Sequence, residues 1–439
     1  MRRSRIDPDA DGLMDARTTT LRRDEVLSLL STAVTAVPGL SHSKASWTER
    51  LRIAGARLHP WVAYRVDRLG LMDALPVDAQ RTLRAATTAS VIDELRRRSA
   101  FVQYADALDA AAIPFVVLKG MALAYTVYPA PAVRPMGDVD LWVECDRLSE
   151  VVTILGALGW KRPARREAYP PASPGASLEL ELPGTRSQIE LHTRPVSLAR
   201  IEGPGIDGSG IAGVWDRAVP ARIAGRSIRI CGVADQLAHL CIHVSVKNGF
   251  ADGLLGLLDV ALTAHLVPDD DTWSAMGAAH RAQGIAPWTT LTLMLARDLV
   301  GAPVPAAYFL TAAVQPPDVK AAALEQLWDR DTSDIRGIDG LVGAGAGGAF
   351  GAIKAYVRLF HAGPRAAGET RLHALGTRLR YDLTGRLARY AKAFVRGEFR
   401  PDRLRHRGRV LRERTALIEL LERATRPLTP GSGAPSAPR

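Results

Sequence analysis

Apolar positions along the chain change their spacing several times, and each change marks an element. From Leu21 to Ala111 they recur three and four apart, as in Leu51 and Ala54 or in Val91, Leu95 and Val102, a period that predicts three or four helices. Pro114 ends that run, and the short, β-branched segment IPFVVLKG predicts a strand stopping at Lys119-Gly120. Helical spacing resumes from Met121 to Tyr128, and the proline-rich YPAPAVRPMG predicts a loop. Asp138 to Glu144 alternates as a strand with one buried face does, followed by an amphipathic helix from Arg147 to Leu158. SLELELP and RSQIELH also alternate and, joined through Pro183-Gly184-Thr185, predict a hairpin. A β-type stretch from Arg222 to Ile230 closes the mixed region.

Helices dominate from Asp235 onward: ADQLAHLCIHVSVKNG and GLLGLLDVALTAHL have helical spacing, and further helices are predicted at about 272–328 and 350–425. The plan is α+β, a small mixed β-sheet core flanked by N-terminal helices and a larger C-terminal helical region. Its segments are a disordered lead-in at 1–20, a helical region at 21–111, the α/β core at 112–232, a helical region at 233–426 and a disordered tail at 427–439.

Composition narrows the class. Hydrophobic residues make up 47% of the 439 and charged ones 23%, enough for a folded core. Gly and Pro show no repeat period, which excludes a collagen-like chain. Three cysteines, Cys145, Cys231 and Cys241, form no CxxC pair and are too few for a disulfide framework, so a reducing compartment, the cytoplasm, is expected. The first twenty residues lack the apolar core of a secretory signal, and the longest apolar stretch, Leu254 to Val267, is interrupted by Asp259 and His265 and too short to cross a bilayer. The net charge of +11 is local: residues 351–426 hold 19 Lys/Arg against 7 Asp/Glu. Such a patch can track RNA, lie on an anionic membrane surface, or simply be a solvated set of Arg-rich helices.

Candidate chemistry gathers in the mixed region. In Asp138-Val139-Asp140 a period of two puts both carboxylates on one face, and like charges so close call for a cation between them. Hard carboxylate oxygens select Mg²⁺ or Mn²⁺. Upstream, the backbone at Lys119-Gly120 opens a helix whose first N–H groups can receive phosphate oxygens, and Arg134 can neutralise a triphosphate with its planar fork. Downstream, Glu190 and His192 share a face of the second hairpin strand. A third carboxylate beside the aspartate pair suits two-metal, in-line phosphoryl or nucleotidyl transfer.

The succession LKG, helix, R-P-x-x-D-V-D-L, a helix ending in L-G-W, then I-E-L-H resembles the DNA polymerase β-like nucleotidyltransferase superfamily. It is most similar to an uncharacterised bacterial branch with the pattern LKG, D-[IV]-D-L and [DE]-L-H, over approximately 112–265. The resemblance implies that Gly120 contacts phosphate, that Asp138 and Asp140 bind metal, and that Glu190 is the third ligand or activates the acceptor. It also makes His243 and Asp259, with His192, candidates for the acceptor pocket. The implied partners are an NTP and a small-molecule or peptide acceptor. An RNA acceptor, such as a tRNA 3′ end, docked on 351–426 is an alternative. So is an idle scaffold, because Met121 stands where the superfamily usually has serine and 17 residues separate Gly120 from Asp138.

Three weaker signals have simpler explanations. His239, Cys241 and His243 lie on one helix but lack the third ligand of a zinc site. Gly343 to Gly348 fits GxGxxG by letter without a preceding strand. Tyr381, Tyr390, Phe394 and Phe399 interleave with arginines as nucleic-acid platforms do, yet their helical spacing suits a core equally.

Overall fold

The structure, a computed structural model, describes residues 23–31, 43–163, 177–193, 206–207, 210–211, 213–250, 253–312 and 317–328. The lead-in, the Gly343 to Gly348 stretch, the basic region 351–426 with its aromatic residues, and the tail lie outside them. Helix α1 spans 23–30. It is followed by α2 (Lys44–Ala54), α3 (His59–Arg68), α4 (Val77–Ala110), β1 (Phe115–Leu118), α5 (Lys119–Thr126), β2 (Val139–Val143), α6 (Leu148–Ala157), β3 (Leu178–Glu181) and β4 (Gln188–His192). Two-residue strands β5 (Ile206–Asp207) and β6 (Gly210–Ile211) pair with each other, and β7 (Val219–Ile223) and β8 (Arg226–Ile230) complete the main sheet. Then come α7 (Val233–Ile242), a π-turn (His243–Lys247), α8 (Leu254–Ala264), α9 (Asp270–Ala282), α10 (Ala286–Val300), α11 (Ala306–Thr311) and α12 (Pro317–Trp328). No helix among the described residues is long and apolar enough to cross a membrane.

The six-stranded sheet has the order β3-β4-β2-β1-β8-β7. β1 is antiparallel to β2 and parallel to β8, while β2 is parallel to β4, so the sheet is mixed. The predicted hairpin forms as β3 and β4, with Glu179 opposite Glu190. The stretch read as one β segment at 222–230 is instead a second hairpin. Its turn puts Ala224 at φ +50° and Gly225 at φ +83°, the left-handed pair that a type I′ turn needs. An alanine at the first of those positions hides the turn from a search for Asn-Gly or Asp-Gly. β7 lies at the sheet edge, where Pro220 costs no ladder hydrogen bond.

Alternation sorts the strand residues onto two faces. Phe115, Val117, Val139, Leu141, Val143, Ile189 and Leu191 join one core with Phe101, Tyr104 and Leu108 of α4 and Val151 and Leu155 of α6. Val116, Leu118 and Trp142 point the other way, into a larger core drawn from α1–α4 and α7–α12 together. The helices before and after the sheet therefore share one interior, and the 34-residue α4 contributes to both cores through Leu83 and Phe101. β2 is buried along its whole length between β4 and β1, so Asp140 and Trp142 do not lie on an exposed edge strand.

Candidate active site

Strand register builds the site. Leu118 pairs with Asp140 across β1 and β2, Asp140 with Glu190 across β2 and β4, and Glu190 with Glu179 across β4 and β3. Laterally paired residues share a face, so three acids stand in one row, and His192, two residues beyond Glu190, joins them. Asp140 Oδ1 accepts from both Lys119 Nζ at 2.5 Å and His192 Nε2 at 2.8 Å. Glu190 Oε2 lies 3.9 Å from Lys119 Nζ and 3.4 Å from His192 Nε2, and its other oxygen accepts from the Ser177 hydroxyl.

The electrostatics follow from that packing. Burial alone would raise the Asp140 carboxyl, but the Lys119 ammonium and His192 outweigh it and hold its pKa below the ordinary value. Lys119 and His192 both shift upward: burial pulls each down, and the adjoining carboxylates more than reverse it. Lys119 also has a left-handed backbone, φ +44°, where a non-glycine residue is strained by roughly 1–2 kcal/mol. That kink turns the chain from β1 into α5 and delivers the lysine over Asp140.

Asp140, Glu190 and His192 offer ligand atoms all within 4.8 Å of one another, so among the described residues they form the group that could hold a metal ion. Two carboxylates and an imidazole suit a divalent cation, with Lys119 already supplying part of the compensating charge. His239, Cys241 and His243 form no such group.

A cavity of about 670 Å³ opens beside this cluster. Lys119, Asp138, Asp140 and Glu190 line one wall, while His243, Asn248, Leu255 and Asp259 line the wall built by α7, the π-turn and α8. Asp138 is thus at the cavity but outside the metal-capable set, and His192, expected in the acceptor pocket, sits behind the acids and is absent from the cavity wall. Arg134 lines the cavity with two nitrogens committed to Asp259, Nε at 2.8 Å and Nη2 at 2.6 Å, and Asp259 also accepts from the Tyr128 hydroxyl at 2.7 Å. His243 Nδ1 is 3.2 Å from the Asn248 amide nitrogen, in a π-turn of the kind that often marks functional sites.

Sequence reasoning missed Ser177, Glu179, Asn248 and Arg57, which also line the cavity. Glu179 carried a usable signal, since it alternates in phase with the strand that pairs with Glu190. Arg57 and Asn248 carried none, because they reach the cavity only through helix packing.

The row of acids across the mixed sheet, with Lys119 beside it, thus faces a polar cavity. The profile of the uncharacterised nucleotidyltransferase family matches residues 43–301, and the chain belongs to that family. Among solved structures, the chain is similar to the solution structure of the antibiotic-resistance factor ANT(2'')-Ia, at 15% identity over 43% of this chain and 93% of that one, with a TM-score of 0.33. Comparison with curated proteins found no match.

Proposed function

We propose that the protein moves a nucleoside monophosphate from an NTP such as ATP to a small-molecule or peptide acceptor. The acceptor oxygen or nitrogen bonds to the α-phosphorus, the bond from that phosphorus to the bridging oxygen breaks, and pyrophosphate leaves. The observation that carries this reading is the lateral register of Asp140 with Glu190, which sets two carboxylates and the Lys119 ammonium on one cavity wall. Asp140 and Glu190, whose ligand atoms converge, would hold Mg²⁺ or Mn²⁺, which when bound neutralises phosphate charge, while Asp138 lines the same cavity outside that group. Lys119 and Arg134 meet the triphosphate as cations. Glu190, on the cavity wall, accepts the proton that the attacking group loses, and His192 keeps Asp140 oriented from behind. His243 and the apolar Leu240 and Leu255 shape the opposite wall, where the acceptor lies.

One observation favours a second reading, an idle scaffold: the Lys119 ammonium already compensates Asp140 at 2.5 Å. Incubation with each labelled NTP and Mg²⁺ or Mn²⁺, followed by calorimetric titration, separates the two. The enzyme reading expects NTP-dependent transfer that Asp140→Ala abolishes; no metal or NTP binding by the unmutated chain would favour the scaffold.

A further inference from the structure

Asp259 lies in the middle of the apolar helix α8 and is 3% exposed. A carboxylate so placed demands a partner, since an isolated buried charge is costly. Gly256, one turn earlier, allows the approach: a Cβ there would lie 2.6 Å from Val244 Cγ2, so α8 can come this close to the π-turn only with glycine at that position. Arg134 then takes both carboxylate oxygens in a bidentate fork, and Tyr128 completes the shell. The guanidinium stays cationic, because the effect of burial is more than reversed by Asp259.

A planar fork fixed at two nitrogens has its third aimed as well. Nη1 of Arg134 faces Gly120, the second residue of α5, where an added Cβ would lie 2.6 Å from it and 3.3 Å from Met136 Cβ. The glycine of the Lys-Gly step is thus required by the arginine's seat. The loop carrying Arg134 contains only a short 3₁₀ turn at Pro131–Val133. Its backbone is pinned from α4 by the Ser90 hydroxyl on Ala132 O and the Arg97 guanidinium on Met136 O, each at 2.6 Å.

We propose that Asp259 is a positioning residue, which holds Arg134 so that Nη1 stands over the head of α5, beside Lys119, as an aimed contact for the triphosphate. The inference rests on the nucleotide reading above and makes nucleotide affinity depend on the C-terminal helices. A pair serving only stability would behave differently, because exchanging a buried ion pair for well-packed apolar residues is often neutral or stabilising.

The probe is inorganic tripolyphosphate with Mg²⁺, titrated calorimetrically into the full chain below the melting temperature of every variant. Asp259→Asn should weaken binding at least tenfold. The paired exchange Arg134→Met/Asp259→Leu should melt near the unmutated chain yet bind as weakly; a double variant that binds within twofold of the unmutated chain overturns the proposal. Hydrogen exchange on the unmutated chain needs no variant to fold: tripolyphosphate should slow amides in α8 as well as α5, and protection confined to α5 overturns it. An unmutated chain that binds neither tripolyphosphate nor any NTP removes the nucleotide reading together with this one. Unimpaired binding by the variants removes the positioning role alone.

Discussion

The two faces of the central sheet are built from alternate residues of the same strands, and they do opposite work. One face, with Val139, Leu141, Ile189 and Leu191, meets α4 and α6 in a core of apolar side chains. The other carries the buried Asp140 and His192 and the half-buried Glu190 among cations and hydrogen-bond donors. Packing stabilises the first face in proportion to the area removed from water, whereas the second face takes on desolvated charge that only mutual pairing offsets. The strands that give the fold its rigidity thereby hold the acids in register.

The sharpest way to break this comparison is one substitution on each face. Asp140→Asn keeps the side chain's shape and should lower transfer by about 10²–10³-fold, the scale seen when one preorganised electrostatic group is lost. Circular dichroism should show the fold retained. Leu191→Ala, one residue from Glu190 but on the other face, should instead lower stability by about 2–5 kcal/mol while leaving the NTP dissociation constant unchanged below the melting temperature. If both substitutions affected stability alone, the division of labour would be wrong.

A second contrast is between two buried histidines. His192 lies among carboxylates and is raised, whereas His280 faces the Tyr308 hydroxyl at 3.0 Å in the helical core and burial lowers its pKa to about 4. The unfolded chain binds a proton at His280 below about pH 6.5, and the folded chain does not until about pH 4. The stability His280 contributes is therefore complete above pH 6.5 and is lost as pH falls from there to 4, by roughly 3 kcal/mol. Urea midpoints across that window, measured for the unmutated chain and His280→Gln, check this; a profile with the same slope in both removes the assignment.

The smallest effect concerns backbone strain. Ala224 and Lys119 both have left-handed backbones, one in a hairpin turn and one at the site. Ala224→Gly should raise stability by about 1 kcal/mol without changing turnover. Lys119→Gly relaxes similar strain but removes the cation from Asp140, and should cost activity. Denaturant midpoints and initial rates on the two variants separate strain kept for function from strain that is only tolerated.

Much of the fold was legible in the sequence, and the reason is local. Strands β1, β2, β3 and β4 and helix α6 follow from periods of two and 3.6 read over a few residues. Asp140 and Glu190 follow from phase within those strands, and Lys119 from the Lys-Gly step that ends β1, although only its left-handed backbone turns it to the face of the acids. The hairpin of β7 and β8 was not legible, because Ala224 occupies a position that usually announces itself with asparagine, aspartate or glycine. Phase also left the partnership of the acids undecided. It put Asp138 with Asp140 and Glu190 with His192, and only the parallel pairing of β2 with β4 selected Asp140, Glu190 and His192 as the converging set. A slip of one residue would have turned the glutamate to the apolar face.

By itself the sequence determined which segments become strands and helices, and which side chains each strand offers to either face. These depend on backbone geometry repeated over a few neighbours. Only the tertiary structure decided that Arg134 meets Asp259, 125 residues away, and that Arg57 and Asn248 reach the same cavity as Lys119. Such meetings depend on how whole helices pack around a shared core, and no local period encodes which of many apolar faces will find one another.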